Sequence, residues 1–489
     1  MAKVGNFTFE LIKGMGKREK IYFRRFAHLS NQKDKSYLRL YDLLVQEDTF
    51  DRERILAHFK GESTERHLSS KLIYLEEQIM NSLVNYYYFS RKSEPFPKLI
   101  AYLKVLHAKG FSKKGGRLLR KAKKAAYETE DHTSLLQLIE MEEALLFDHG
   151  ILDFRNELER LREERKRVFE LIDNFSEIRL IKEGLREIVF REELFLSPAQ
   201  LEDCELLRHP LLESDNLALS TSAKIYWNYC AGLTGYINRD FLSGQQYSCK
   251  ELALIHEHPK LLPPLIHHQC LSNVMYLSSL VGDRETFMSA QEELTELHEK
   301  GEVESEYFDY ILHCRNISLG IVLNDHDLLK TTLDKTIPIV KKEPPPFSQL
   351  ELGIILDLMI QALIVVEDFP GAFRLIHMWN THCNLSAQYR IMKLMSLAVF
   401  FELDQEELLE STLRSAERFN LRPSMNSQVE VVMLRFFDQV LKGPTPAQLK
   451  RMVQSMHQEL EALKDNPNEN VPLTFFDFQT WTGSLLNRV

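Results

Sequence analysis

Five short stretches decide how this chain is read: Tyr236-Ile237-Asn238-Arg239, Val281-Gly282-Asp283-Arg284, Leu323-Asn324-Asp325-His326, Val366-Glu367-Asp368-Phe369 and Leu403-Asp404-Gln405. Each is a turn at which a helical apolar pattern breaks. Counted between Asn238, Asp283, Asp325, Asp368 and Asp404, the steps are 45, 42, 43 and 36 residues. A near-constant period of this size is the mark of stacked helical hairpins, where no unit buries its apolar face alone and each is covered by the next. The expected fold is all-α, an α-α superhelix (solenoid) of antiparallel hairpins over residues 217–443.

The totals agree with that expectation. At 489 residues the chain exceeds what one compact core usually holds. Apolar residues make up 44% and charged residues 27%, which fits an ordinary globular protein and argues against global disorder. With 19 Gly and 17 Pro, long helices meet few interruptions, and no strand-like alternation persists. Around the array, we expect a basic helical cap region over 1–94, a hairpin with a following helix over 95–150, charged bridging helices over 151–216 and capping helices over 444–489. Six dispersed cysteines form no Cys-x-x-Cys pair, and no secretory signal is recognisable near Met1, so a cytoplasmic location is expected. The greasiest run, Leu350 to Val366, carries Glu351, Asp357 and Gln361 and reads as a core helix, not a membrane span.

Charge is divided unevenly. Residues 1–130 hold 27 Lys and Arg against 15 Asp and Glu, while the rest holds 34 against 56. Within the first part, Ile21, Tyr22, Phe23 and Phe26, then Tyr37, Leu38, Leu40, Tyr41 and Leu44, then Ile55, Leu56 and Phe59 form apolar stripes of three short helices. A longer helix follows through Leu68, Leu72, Leu75, Ile79 and Leu83. The strongest basic run is Lys113, Lys114, Arg117, Arg120, Lys121, Lys123 and Lys124, with no acid between Ser112 and Tyr127. Such a face either stays solvated or binds phosphates or an acidic partner, so nucleic acid is a possible ligand of the first 130 residues.

The same region carries a local pattern. Leu99, Leu103 and Leu106 lie on one helix face, Gly110-Phe111 makes a turn, and Gly115, Leu119 and Ala122 follow on a second helix. A small residue early in the second helix lets two backbones approach, a large one four positions later fills the gap, and a small one three further on seats the next unit. This pattern resembles the tetratricopeptide repeat, although the family's small residue in the first helix is here Leu103. It recurs at Asp368-Phe369, Ala372 and Ile376, with bulky Trp379 at the last small position. The resemblance implies stacked hairpins that bind a peptide or a partner's helix in a groove. The first 130 residues also resemble those of uncharacterised bacterial repeat proteins, a likeness that implies no activity.

Between Asp153 and Glu193 mixed charges at spacings of three and four favour long exposed helix. Its seam of Leu158, Leu161, Val168, Leu171 and Phe175 could form a coiled coil, but Arg165 interrupts it, and the region is read as a bridging helix pair. No phosphate loop, nucleophile elbow or His-Glu-x-x-His motif occurs, so neither an enzyme nor a cofactor is expected. His256, His258, His267, His268 and Cys270 cluster around Pro263-Pro264, but their spacings put no two ligands on one helix face, and no metal is expected there. The expected function is a protein-binding scaffold, with Tyr226, Asn228, Asn273 and Arg315 as candidate groove residues on first helices of hairpins. The alternative is a nucleic-acid-binding regulator acting through its basic N-terminal part.

Overall fold

The computed structural model describes residues 2–29, 36–88, 95–149, 154–190, 204–301, 303, 305–342, 347–382, 386–420, 427–463, 466 and 478–488. Among these residues there are 23 α-helices and no strand. The chain divides into two units, Met1–Val168 and Phe169–Val489.

In the first unit, α1 (Ala2–Gly14), α2 (Lys17–Leu29), α3 (Ser36–Gln46), α4 (Arg52–His58) and α5 (Ser63–Arg66) precede the long α6 (Leu68–Tyr88). Helix α6 packs on α1, α2, α3 and α5. The apolar stripes of the sequence meet in one core of Phe23, Tyr37, Leu40, Tyr41, Leu44, Ile55, Phe59, Leu72, Leu75 and Ile79, and α1 adds Phe9 and Ile12. Next come α7 (Pro95–Ala108), α8 (Ser112–Glu128) and α9 (His132–His149), with α7 touching both α8 and α9. The charged region forms one 37-residue helix, α10 (Phe154–Phe190), where the sequence suggested a helix pair. Its Arg165, the residue that interrupts a coiled-coil seam, is held by Glu143 of α9. The unit boundary falls within α10.

The second unit continues with three 3-10 turns and the array. Its hairpins are α11 (Thr221–Ile237) with α12 (Phe241–Glu257), α13 (Pro264–Val281) with α14 (Arg284–Glu299), α15 (Ser305–Val322) with α16 (His326–Val340), α17 (Gln349–Val365) with α18 (Phe369–His382), and α19 (Ser386–Glu402) with α20 (Glu406–Asn420). Then come α21 (Gln428–Val440), α22 (Pro446–Leu463) and α23 (Phe478–Arg488). Each helix packs on its successor in the array, and first helices also meet: α13 touches α15, α15 touches α17, α17 touches α19, and α19 touches α21. Among the described residues, second helices make no comparable contact with one another. No helix among the described residues is long and apolar enough to cross a membrane.

The five quoted turns share a left-handed residue, and four of them share the bond that follows it. Left-handed backbone falls at Arg239 (φ 63°), Gly282 (73°), Asn324 (51°), Glu367 (60°) and Asp404 (51°). The amide after it reaches back five residues: Asp283 to the Ser278 carbonyl at 2.9 Å, Asp325 to Gly320 at 2.9 Å, Asp368 to Leu363 at 2.8 Å and Gln405 to Phe400 at 2.9 Å. That bond closes the carbonyl end of the first helix. The aspartates then start the second helix, Asp240, Asp283, Asp325 and Asp368 accepting from the amides of Ser243, Thr286, Leu328 and Gly371 at 2.9 to 3.1 Å. Asn238 lies one residue before the first left-handed position, at φ −80°, so the steps between left-handed residues are 43, 42, 43 and 37. The first unit uses the same device at Gly110-Phe111 and Glu130-Asp131.

Packing across each turn is matched by size. Gly235 of α11 faces Gly244 of α12, so close that a Cβ on Gly235 would lie 2.7 Å from the Gly244 nitrogen. At the same position of the third hairpin, Gly320 faces Leu329, whose Cδ2 would lie 2.7 Å from a Cβ on the glycine. In the fourth, the small residue is on the other side: Leu363 stands where Gly320 does, and Ala372 where Leu329 does. Ala372, Ile376 and Trp379 are all buried in the large core running from Cys314 to Leu485. Leu103, Gly115, Leu119 and Ala122 are likewise buried.

At the far end, α23 packs on α22 and α17. Trp481 donates its indole N–H to Glu402 at 2.9 Å, and Arg488 forks onto both Glu402 oxygens at 2.7 Å. A terminal helix from Thr474 to Leu486, covering the edge of the stack, is what the sequence suggests; Phe478–Arg488 is helical, and residues 474–477 lie outside the described residues.

Candidate interaction surfaces

Helix α8 has a strictly divided circumference. At about 100° per residue, Lys113, Lys114, Arg117, Arg120, Lys121 and Lys124 fall within roughly a third of a turn, and all six are exposed. Gly115, Leu119, Ala122 and Ala126 are buried on the opposite side. Only Lys124 of the six makes an ion pair among the described residues, with Glu128 at 3.8 Å.

Lys123 departs from this set. It is 8% exposed and turned inward, its Nζ bonded to Glu142 of α9 and, at 2.8 Å, to Glu164 of α10. Tyr127 donates to Glu164 at 2.7 Å, and Arg160 bridges Glu142, Glu157 and Glu164. Burial alone would raise the Glu164 carboxyl, but hydrogen bonds from Lys123 and Tyr127 and the nearby cations hold it below the usual range. Lys123 therefore ties three helices together and is not available to a ligand.

In the second unit the four residues the sequence suggests for a groove differ in what they offer. Asn228 is buried, its amide donated to the Lys224 carbonyl of its own helix at 2.8 Å. Tyr226 is half-buried, edge-on to Phe175 and beneath Lys182, whose Nζ lies 4.8 Å from its ring. Asn273 is half-buried and its side chain makes no hydrogen bond among the described residues. Arg315 stacks on Tyr276 at 4.4 Å and donates to Ser272 Oγ at 3.2 Å. Asn273 and Arg315 occupy one position of consecutive units, each ten residues before the capping aspartate. Tyr276 continues the row through a 3.2 Å contact between its hydroxyl and that of Tyr236. Among the described residues no carboxylate pairs with Arg315.

The histidines around Pro263-Pro264 separate into two sets. His256, in the last turn of α12, and His267, in the first turns of α13, converge on Glu293 of α14, whose Oε1 accepts from their Nε2 atoms at 2.7 and 2.8 Å. Their rings meet edge to face with centroids 5.4 Å apart. The hydrogen bond from His267, with that from His256, holds the Glu293 carboxyl below its ordinary range despite partial burial. His258 is exposed and outside this group, His268 is buried, and the Cys270 thiol donates to the Ser248 carbonyl at 3.7 Å. Local spacing gave no sign of Glu293, which is 26 and 37 residues from its two partners.

Two buried acids were also missed as titrating groups. Burial pushes Glu251 of α12 up to about 8, with Cys270 and Lys182 pulling back, and its Oε2 has no hydrogen-bond partner. Burial pushes Asp357 of α17 up to about 7 against a hydrogen bond from Gln361. The five described cysteines are free thiols; Cys383 lies outside the described residues.

These surfaces belong to an all-helical protein of packed consecutive helix pairs. No protein-family model matches the chain, and no curated protein matches it.

Proposed function

We propose that the chain is a non-enzymatic scaffold that binds a peptide or a partner's helix along the layer of first helices in the second unit. In this reading the hairpins stack as a tetratricopeptide-like superhelix, with that layer on the inner, more closely spaced side. The contacts between successive first helices from α13 onward, without comparable ones between second helices among the described residues, support that curvature. The observation that carries the binding role is Arg315: a half-buried guanidinium, braced by Tyr276 and Ser272, with no carboxylate among the described residues to neutralise it. A preorganised cation of this kind suits an acidic side chain or chain terminus of a partner. Neighbouring Asn273 supplies a donor and acceptor for a peptide backbone.

The test is affinity capture by the full-length protein from its own cells, followed by binding measurements on each captured partner. We expect Arg315→Glu with Asn273→Ala to weaken such a partner at least tenfold. If every partner binds the double variant as tightly as the parent, or none is recovered, the groove has no such role.

A second reading, nucleic-acid binding through α8, has its own support in six exposed cations within one arc. Here the affinity of the full chain for a DNA or RNA duplex should fall steeply with salt. Replacing Lys113, Lys114, Arg117, Arg120 and Lys121 by glutamine should flatten the plot of log affinity against log salt by about 0.9 per lost phosphate contact on DNA. An unchanged slope, or no shift at low salt, removes this reading.

A further inference from the structure

The groups that converge on one point, away from the groove and the basic helix, are His256, His267 and Glu293. They come from three successive helices, α12, α13 and α14. Their nitrogen and oxygen ligand atoms all lie within 4.8 Å of one another. We propose that this cluster is a divalent transition-metal site, of which zinc is the representative ion, with His256 Nε2, His267 Nε2 and Glu293 Oε1 as its protein ligands.

The donor set fits that chemistry. Two imidazoles and a carboxylate suit a borderline ion such as zinc, whereas calcium or magnesium prefers oxygen throughout. Zinc lies about 2.0 to 2.2 Å from such ligands, so its ligand atoms stand roughly 3.3 Å apart. The present nitrogen-to-oxygen separations of 2.7 and 2.8 Å need to widen by about half an ångström, within reach of side-chain rotation alone. Each imidazole would then carry its proton on Nδ1 and turn the Nε2 lone pair to the ion.

The surroundings favour a cation. No lysine or arginine pairs with Glu293 among the described residues; its partners are the two imidazoles. Helix α14 is acidic, with Glu285, Glu292, Glu293, Glu296 and Glu299 against Arg284. Glu293 and His267 are partly shielded, their side chains 30% and 21% exposed, while His256 at 47% leaves the site open to solvent. Three protein ligands and an open side leave a coordination position for water or for a group from a partner. Bound there, the ion would clamp the second hairpin to the first, linking metal occupancy to the stability of the array.

The experiment is isothermal titration of Zn2+ into the metal-stripped, untagged full-length chain, repeated with Co2+ and read by its visible absorption. One ion per chain is expected, with Kd in the micromolar range or tighter. Glu293→Gln, which keeps a hydrogen-bonding group between the imidazoles, and His256→Ala with His267→Ala should each weaken binding at least tenfold. His258→Ala should leave it unchanged. Circular dichroism of each variant separates loss of ligands from loss of fold. If the parent takes up no stoichiometric ion, or folded Glu293→Gln binds as the parent does, the site is a hydrogen-bonded staple and the proposal fails.

Discussion

Replacing Gly235 by alanine is expected to lower the stability of the second unit by roughly 2 kcal/mol, against the sign that helix propensity alone would give. Alanine in a helix interior normally gains about 0.5 to 1 kcal/mol over glycine. Here the added Cβ would sit 2.7 Å from the Gly244 nitrogen, 2.8 Å from its Cα and 3.0 Å from the Asp240 carbonyl. Those are backbone atoms, which cannot rotate away as a side-chain tip can. The α11–α12 crossing must open instead, and with it Gly232 and Ser248, which would stand 3.0 Å apart if Gly232 too carried a Cβ. Gly483 in α23 provides the comparison, because a Cβ there meets nothing nearer than His457 at 3.9 Å, and Gly483→Ala should stabilise by about 0.5 kcal/mol. All three tryptophans, Trp227, Trp379 and Trp481, lie in this unit, so their fluorescence in urea follows its unfolding without interference from residues 1–168. If both alanines stabilise, the glycine crossing is looser than described.

The second large effect is on pH. In the folded state Glu251 holds its proton up to about pH 8, and Asp357 up to about pH 7. In the unfolded chain both titrate near 4. Between about pH 4.3 and pH 8 the folded state therefore carries a proton at Glu251 that the unfolded state has lost, and stability falls as pH rises, by about 1.4 kcal/mol per unit. Over that window Glu251 alone costs on the order of 5 kcal/mol, and Asp357 acts in the same sense over a shorter window. Urea midpoints of the second unit should thus be clearly lower at pH 8.5 than at pH 5.5. Glu251→Gln, which keeps the shape without the titration, should remove roughly three fifths of that decline and be the more stable protein at pH 8.5. A variant with the same pH slope as the parent would show that Glu251 does not carry the effect.

How much of this could be read in advance depended on whether a feature lives in one segment or several. The hairpin turns were legible because their requirements are local: a left-handed residue ends one helix and an aspartate caps the next, so Gly282-Asp283, Asn324-Asp325 and Glu367-Asp368 stand out in the text. Even there the first step was counted two residues too long, because Asn238 looks like the turn residue, whereas the counterpart of Asp283 is Asp240, which follows the left-handed Arg239. The acid within the apolar run of α17 was visible as a residue that argues against a membrane span. Its burial and its upward shift were not visible.

The interaction surfaces show the same divide. Helical periodicity is enough to put six of the seven cations of α8 on one exposed side, opposite its apolar face. Lys123 was misassigned to that face because its two partners, Glu142 and Glu164, are 19 and 41 residues away. In the same way, the sequence weighed His256 and His267 as neighbours in a crowded stretch and dismissed them on helix geometry. Glu293, brought back by the next hairpin, is what joins them.

The sequence by itself determined the helices, where they turn, and that they pair in order along the second unit, because backbone capping and apolar period act over a few residues. Which side chains meet was decided by tertiary structure: Gly235 against Gly244, Lys123 between two glutamates, two histidines on one carboxylate. The reason is that helices packed in chain order bring positions tens of residues apart side by side, and such a contact leaves no mark in the local pattern of either segment.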